Sequence, residues 1–391
     1  MKAMNKNKDY GTTVYVGTVN GKAKRKHIRA GSERELKKKI AEIKADVAAG
    51  KDVYTRAVFG VWADKWLNEM IIPSGISNGT ITQYKAAVKH LKRRFSDVEF
   101  KYITFSEFQQ FINDLAAENP NTHKPTAKAT LESVKKVAAA VFRYACSNNI
   151  AGVPDYFRDV KIPKTAPKKE RRALTEQEQQ WIINTPHRAQ PAAMIMLFAG
   201  LRRGELIPLQ WSDVDLTVGT ISVNKSVEFI NNKAHIKAGG KSVAAYRVIP
   251  IPPILIDYLR QYQRNSKIIS MYVCVNAGGK MHTESSFKKM WQSYLLDLNV
   301  KYGYVNNDVS KYDPKGLPMR IERITPHYLR HTYATLLYLQ GVDLETAKQY
   351  LGHSDIQVTS NIYTDLKNNQ RFNLSESYKA LLENEYKIKR A

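Results

Sequence analysis

Between about residues 58 and 160 the apolar positions recur at intervals of three and four. Val58, Val61, Trp62, Trp66 and Leu67 form one such set, and Tyr84, Val88 and Leu91 another. Phe108, Phe111, Ile112 and Leu115 follow, then Leu131, Val134, Val137, Val141, Phe142 and Ala145. That spacing places each set on one stripe of an α-helix. It predicts four short amphipathic helices in one bundle, with the aromatic and aliphatic stripes as its core. Ahead of them the period changes. Thr12 to Val19 is β-branched and alternating, Asn20-Gly21 is a type I′ turn signal, and Lys22 to Ile28 resumes as a basic strand. Ser32, with Glu35 three residues on, reads as a capping box that opens a helix through Leu36, Ile40 and Ile43.

Behind the bundle the periodicity stops. Val160 to Arg172 carries Pro163, Pro167 and six Lys or Arg residues, which reads as an extended basic linker. Thr175 to Glu178 is a second capping box and starts a last region that is again mainly helical. Within it, Gly219 to Ile230 reads as one strand, Asn231-Asn232 as a turn, and Val248 to Ile251 as the close of another strand. Leu374 to Ile388 closes the chain as an amphipathic helix with Tyr378, Leu381 and Leu382 on one face. The expected fold is multidomain. A small α+β N-terminal domain (1–57, a short antiparallel sheet plus a helix) is followed by an all-α helical domain (58–160). A basic linker (161–174) then leads to a mainly helical α+β domain with a small antiparallel sheet and a C-terminal tail (175–391).

Composition adds a partner. The 391 residues include 61 Lys+Arg against 36 Asp+Glu, a net charge of +25, so an anionic polymer or surface is expected. Residues 1–57 alone hold Lys or Arg at 15 positions and Asp or Glu at six, and a basic sheet of this kind can enter a DNA groove. Lys85, Lys89, Lys92, Arg93, Arg94, Lys128, Lys135 and Lys136 add basic positions between the helical stripes, as a clamp on phosphates needs. The longest apolar run, Ala192 to Leu201, is about half of what a bilayer-spanning helix requires. No membrane association is expected. The lysine-rich start lacks the apolar core of a secretory signal, and Cys146 and Cys274 are too few for a disulfide framework. Both point to the cytoplasm.

Three motifs carry candidate chemistry. Ala199-Gly-Leu-Arg-Arg-Gly-Glu205 ends an apolar helix that begins near Pro191, and an arginine held there is poorly hydrated and suited to a phosphate. In Thr325-Pro-His-Tyr-Leu-Arg-His331 a helix start places His327 and Arg330 on one side, an anion site with a proton carrier. His327 and His331 also have the spacing of a zinc helix, but Tyr328 stands where a metalloprotease needs its Glu, and no third ligand is evident. Leu351-Gly-His353 through Tyr363 offers a histidine and a tyrosine in a polar setting. Gly239-Gly-Lys-Ser242 imitates a phosphate loop, yet His235 occupies the place of its first glycine.

Taken together, these arginines, histidines and the late tyrosine resemble the phage-integrase family of tyrosine recombinases in identity, order and spacing along residues 175–370. The front of the chain resembles, less closely, the arm-site-binding and core-binding domains of temperate-phage and conjugative-transposon integrases. The resemblance implies a site-specific DNA recombinase that cuts and rejoins strands through a 3′-phosphotyrosyl intermediate and integrates or excises a mobile element. It implies that Tyr363 is the nucleophile, that Arg202 and Arg330 clamp the non-bridging oxygens, and that His327 manages the tyrosine proton. His353 would hydrogen-bond the phosphate, and Glu205 would support the arginine. It also implies a lysine on a β-hairpin that protonates the leaving oxygen. Lys241, six residues before Arg247 as in the family's pattern, is the choice, with Ser242 and Ala245 departing from that pattern and Lys237 as the alternative.

No nucleotide cofactor or metal is implied, since one phosphodiester is exchanged for one ester of similar energy. The implied partners are double-stranded DNA attachment sites of core and arm type, a homotetramer on DNA, and an excisionase or host DNA-bending protein. The implied location is the nucleoid of a bacterial host. A type IB topoisomerase-like relaxing activity and a non-catalytic DNA-binding regulator stay open as alternatives.

Overall fold

A computed structural model describes residues 10–19, 22–49, 57–150, 153–168, 172–238, 246–304, 310, 312, 316–352, 356–357 and 359–360. The chain divides into two compact units, Met1–Lys169 and Glu170–Ala391.

The first unit begins with an antiparallel pair, β1 (Tyr10–Val19) and β2 (Lys22–Ala30), and helix α1 (Glu33–Ala48). The turn residues Asn20 and Gly21 lie outside the described residues. Ser32 caps α1 by accepting the Glu35 backbone N–H at 3.2 Å, while the Glu35 carboxylate accepts from the Gly31 N–H instead of from Ser32. Alternation along the pair sorts the residues by face. Val14, Ile28 and Ala30 are buried, whereas the cross-strand pairs Thr13–His27 and Tyr15–Arg25 are exposed on the other face, with Arg29 beside them.

Four helices follow: α2 (Phe59–Lys65), continued by a π-helical turn at Trp66–Ile71, then α3 (Asn78–Phe95), α4 (Phe105–Ala117) and α5 (Lys128–Ser147). Their stripes meet in a core rich in phenylalanine. Phe142 packs edge-on to Phe100 and to Phe157, with ring centroids 4.7 Å apart in each pair. One expected core position is wrong. Val61 is 55% exposed, and the buried stripe of α2 is Phe59, Trp62 and Ala63, continued by Trp66 and Leu67. Gly60 sets this register, because a side chain there would meet the Ser96 carbonyl at 2.5 Å.

The basic segment after α5 is less extended than its composition suggests. The Lys161 N–H bonds Gln109, the Pro167 carbonyl accepts the Lys128 N–H, and Ala166 is buried in the helical core. Its far end belongs to the second unit, where Arg172 forks onto Glu178 and also reaches Glu322 at 2.8 Å.

The second unit is assembled around an apolar helix. In order it contains α6 (Glu176–Ile183), α7 (Gln190–Phe198), α8 (Arg203–Leu206), β3 (Val214–Asp215), β4 (Thr220–Val223), β5 (Lys225–Ile230), β6 (Lys233–Ala238) and β7 (Arg247–Pro250). Helices α9 (Pro253–Asn265), α10 (Glu284–Gly303), α11 (Pro326–Leu339) and α12 (Leu344–Leu351) complete it. Every residue of α7 is buried, as expected for a helix apolar on all sides. Leu255 and Leu259 of α9, Tyr294 of α10 and Tyr333 of α11 belong to the same core.

The expected single strand from Gly219 to Ile230 is two strands in two sheets. Strand β4 lies between β3 and β7, while β5 pairs only with β6 among the described residues. The break falls at Asn224, where Asp213 accepts from the Asn224 amide at 2.9 Å and from Lys225 Nζ at 2.7 Å, pinning the corner. Asn231 and Asn232 both have positive φ (49° and 66°), the left-handed pair that a two-residue hairpin turn demands. No helix among the described residues is long and apolar enough to cross a membrane.

Candidate active site

The site is built from chain ends of buried helices. Helix α7 stops at Ala199, and Gly200 turns the chain in the left-handed region at φ 64°. A side chain on Gly200 would sit 2.1 Å from the Tyr333 ring, so glycine is required here on two counts. The turn delivers Leu201 to the core and Arg202 to the start of α8. The Arg202 backbone N–H donates to Glu205 Oε2 at 2.9 Å, and its Nη1 donates to Glu205 Oε1 at 2.8 Å. The Arg202 side chain is 41% exposed, against 8% for Glu205.

Helix α11 supplies the second guanidinium. Thr325 caps it and Pro326 occupies its first turn, where a missing N–H costs nothing. Arg330 lies in the following turn and is buried, donating from Nη1 to the Gly200 carbonyl at 2.5 Å and from Nη2 to the Leu351 carbonyl. His327 and Arg330, expected to share one face, differ in depth: His327 is exposed at the helix start.

Helix α12 closes the site with its C-terminal carbonyls. Three consecutive ones are taken by three different arginines: Tyr350 by Arg247 Nε at 2.8 Å, Leu351 by Arg330, and Gly352 by Arg202 Nη2 at 2.8 Å. Cations at a helix C-terminus are favoured by its dipole as well as by the hydrogen bonds. Gly352 has φ 61°, and a side chain there would strike Arg247 Nη1 at 2.7 Å. Glycine in the Leu351-Gly352 step thus lets the helix end and the third arginine enter.

Arg247 is the residue that sequence reasoning used only as a landmark. It starts β7, is buried, and forks onto Glu205, with Nη2 2.7 Å from Oε2 and Nη1 3.2 Å from Oε1. Arg330 Nη1 stands 3.9 Å from the same carboxylate. One buried anion therefore faces three guanidiniums. Burial by itself would push the Glu205 carboxyl up. The Arg247 hydrogen bonds and the charges of Arg247, Arg330 and Arg202 outweigh it and hold the group at about 2. Burial, reinforced by the charge of Arg202, pulls the Arg330 guanidinium down to about 9, which still leaves it charged at neutral pH. The cluster carries two more positive than negative charges, as a site for an anion requires.

Of the residues expected to act, Arg202, Glu205 and Arg330 are brought together. His327 lies on the helix that carries Arg330. His353, Tyr363 and Lys241 lie outside the described residues, as does the tail helix expected at Leu374 to Ile388. The alternative lysine, Lys237, is on β6 and pairs with Glu228. Among the described residues no group of His, Cys, Asp and Glu is arranged to hold a metal.

The model of the phage integrase family matches residues 168–370. A XerC-like tyrosine recombinase of Caldanaerobacter subterraneus subsp. tengcongensis is 26% identical over 391 residues, covering 94% of this chain and 95% of that protein. The tyrosine recombinase XerA of Thermococcus kodakarensis is 32% identical over 239 residues, covering 60% of this chain and 70% of its own. Among solved structures, the Tn1549 transposon integrase in complex with transposon right end DNA superposes with a TM-score of 0.60 at 19% identity, covering 84% of this chain and 99% of that one. A lambda integrase tetramer bound to a Holliday junction gives 0.55 at 16% identity, covering 90% and 93%.

The depressed Glu205 carboxyl has a pH signature. Its folded value of about 2 lies below its ordinary 4.5, so its contribution is complete above pH 4.5 and is lost as pH falls toward 2. The amount is about 3 kcal/mol at neutral pH. Urea midpoints of the full chain should therefore fall more steeply between pH 5 and pH 3 in the wild type than in Glu205→Gln. Parallel curves would show that the arginines do not hold this carboxylate.

Proposed function

Because the chain belongs to the phage integrase family and is a tyrosine site-specific recombinase, we propose that the arginine cluster around Glu205 is the seat of strand cleavage and that Tyr363 is its nucleophile. One observation carries this reading. Three guanidiniums from separate stretches are fastened to carbonyls 350–352, and the segment with His353 and Tyr363 begins at the next residue. A scissile phosphate seated against Arg202 and Arg330 would thus lie at the root of the segment that brings the phenol.

In this scheme the Tyr363 oxygen attacks the phosphorus while the bond to the 5′-oxygen breaks. The products are a 3′-phosphotyrosyl ester and a 5′-hydroxyl. The phenolic proton passes to His327, whose exposure at the start of α11 lets it exchange with solvent. Lys241 returns a proton to the leaving 5′-oxygen, and His353 hydrogen-bonds a phosphate oxygen. Arg202 and Arg330 stabilise the charge that builds on the non-bridging oxygens. Arg330 has spent two of its donors on carbonyls, and a guanidinium has five, so a phosphate can still be met. Balanced exchange of one ester for another lets the reverse attack rejoin strands from a second site. Integration and excision of a mobile element follow, carried out by four protomers on two core sites, with an excisionase or host DNA-bending protein setting direction.

The N-terminal pair fits arm-type DNA. Its outward face presents Thr13, Tyr15, Arg25, His27 and Arg29 away from the buried Val14 and Ile28. Such a face offers positive charge for phosphates and polar groups for base edges.

Two measurements test these assignments. A nicked suicide duplex bearing the core site should trap the wild-type protein covalently, with the rate unchanged in excess EDTA, and Tyr363→Phe should trap none. An adduct with the phenylalanine variant would remove Tyr363 from its role. Reversing Arg25 and Arg29 to Glu in the full chain should weaken arm-site binding at least about tenfold while sparing the core-site adduct. Unchanged arm-site affinity would refute the arm-binding role.

A further inference from the structure

Arg247 stands in none of the roles above, yet it is the most enclosed of the three arginines together with Arg330, each side chain being 5% exposed. Each of its three nitrogens donates within the protein. Nη1 and Nη2 grip both oxygens of Glu205, and Nε holds the Tyr350 carbonyl. It therefore joins strand β7, the carboxylate beside α8 and the end of α12 at one point. The same two carboxylate oxygens position Arg202, Oε1 through Nη1 and Oε2 through the backbone N–H. Without the fork, Glu205 would keep only its bonds to Arg202, and the pair would no longer be tied to β7 or to the end of α12, whose carbonyls hold Arg330 and Arg202. Gly352 makes room for this clamp, because its missing Cβ is the space that the Arg247 guanidinium occupies.

We propose that Arg247 is a positioning residue for the phosphoryl transfer: it clamps Glu205 against the end of α12 and so fixes where Arg202 and Arg330 present their guanidiniums to the scissile phosphate. This rests on the reading of Arg202 and Arg330 as the phosphate clamp. Planarity is essential to the role. A lysine would keep the charge but, as a single point on a flexible stem, could not grip two carboxylate oxygens and a carbonyl at once.

The experiment compares two suicide core-site duplexes with the full chain, one ordinary and one carrying a methylphosphonate at the scissile position. The neutral diester needs less charge stabilisation from the clamp. A deficit caused by a displaced clamp therefore shrinks on it, whereas a deficit from general loosening of the fold does not. Arg247→Met should form the covalent adduct at least about tenfold more slowly than wild type on the ordinary duplex, with core-site affinity within about threefold. On the methylphosphonate duplex its deficit should fall below about threefold. Arg247→Lys, the milder change should the methionine variant not fold, should show the same pattern with a smaller deficit. An equal deficit on both duplexes, or wild-type rates for either variant, overturns the proposal. Absence of a wild-type adduct on the ordinary duplex would overturn the cleavage reading itself, and this proposal with it.

Discussion

A single buried carboxylate organises the second unit. Glu205 meets guanidiniums that arrive from α8, β7 and α11, elements up to about 130 residues apart in the chain, and no other anion among the described residues contacts all three. Of these charges Glu205, Arg247 and Arg330 are buried, and buried charges are tolerated only when paired and hydrogen-bonded. The carbonyl ends of α7 and α12 supply what the carboxylate cannot. The remaining positive excess is the property that suits the site to an anion. The same interaction that holds three elements together thus leaves an unfilled electrostatic demand at their meeting point.

The glycines of the two motifs follow from this constraint. Gly200 and Gly352 both take left-handed turns, and in each case the room left by the absent side chain is filled by a neighbour, Tyr333 in one and Arg247 in the other. Each glycine ends a helix whose terminal carbonyl then accepts from an arginine. The Gly-Leu-Arg and Leu-Gly-His steps are accordingly two halves of one piece of architecture: a helix that stops where its last carbonyls are needed.

Much of this was legible in the sequence because it depends on local rules. Helices α3, α4 and α5 appear where their apolar period placed them, and Ser32, Thr175 and Thr325 cap the helices they were expected to cap. Arg202, Glu205 and Arg330 were identified from their motifs and do converge. What escaped detection depends on contacts distant in sequence. The strand break at Asn224 is enforced by Asp213, the outward turn of Val61 by the close approach of Gly60 to Ser96, and the burial of Arg247 by a carboxylate 42 residues away. The difference in depth between His327 and Arg330 is of the same kind. Spacing along a helix gives direction around its axis, but only the packing of α7 and α12 against α11 sets how deep each turn lies.

The central claim is that the charge excess around Glu205 is where the scissile phosphate binds. A crystal structure of the full chain on a core-site duplex, with a nucleophile variant to keep the strand intact, tests it most directly. The account predicts non-bridging oxygens of the scissile phosphate within about 3 Å of both the Arg202 and Arg330 guanidiniums, with the Glu205–Arg247 fork unbroken. A phosphate bound elsewhere, with these arginines still turned only toward protein groups, would contradict it.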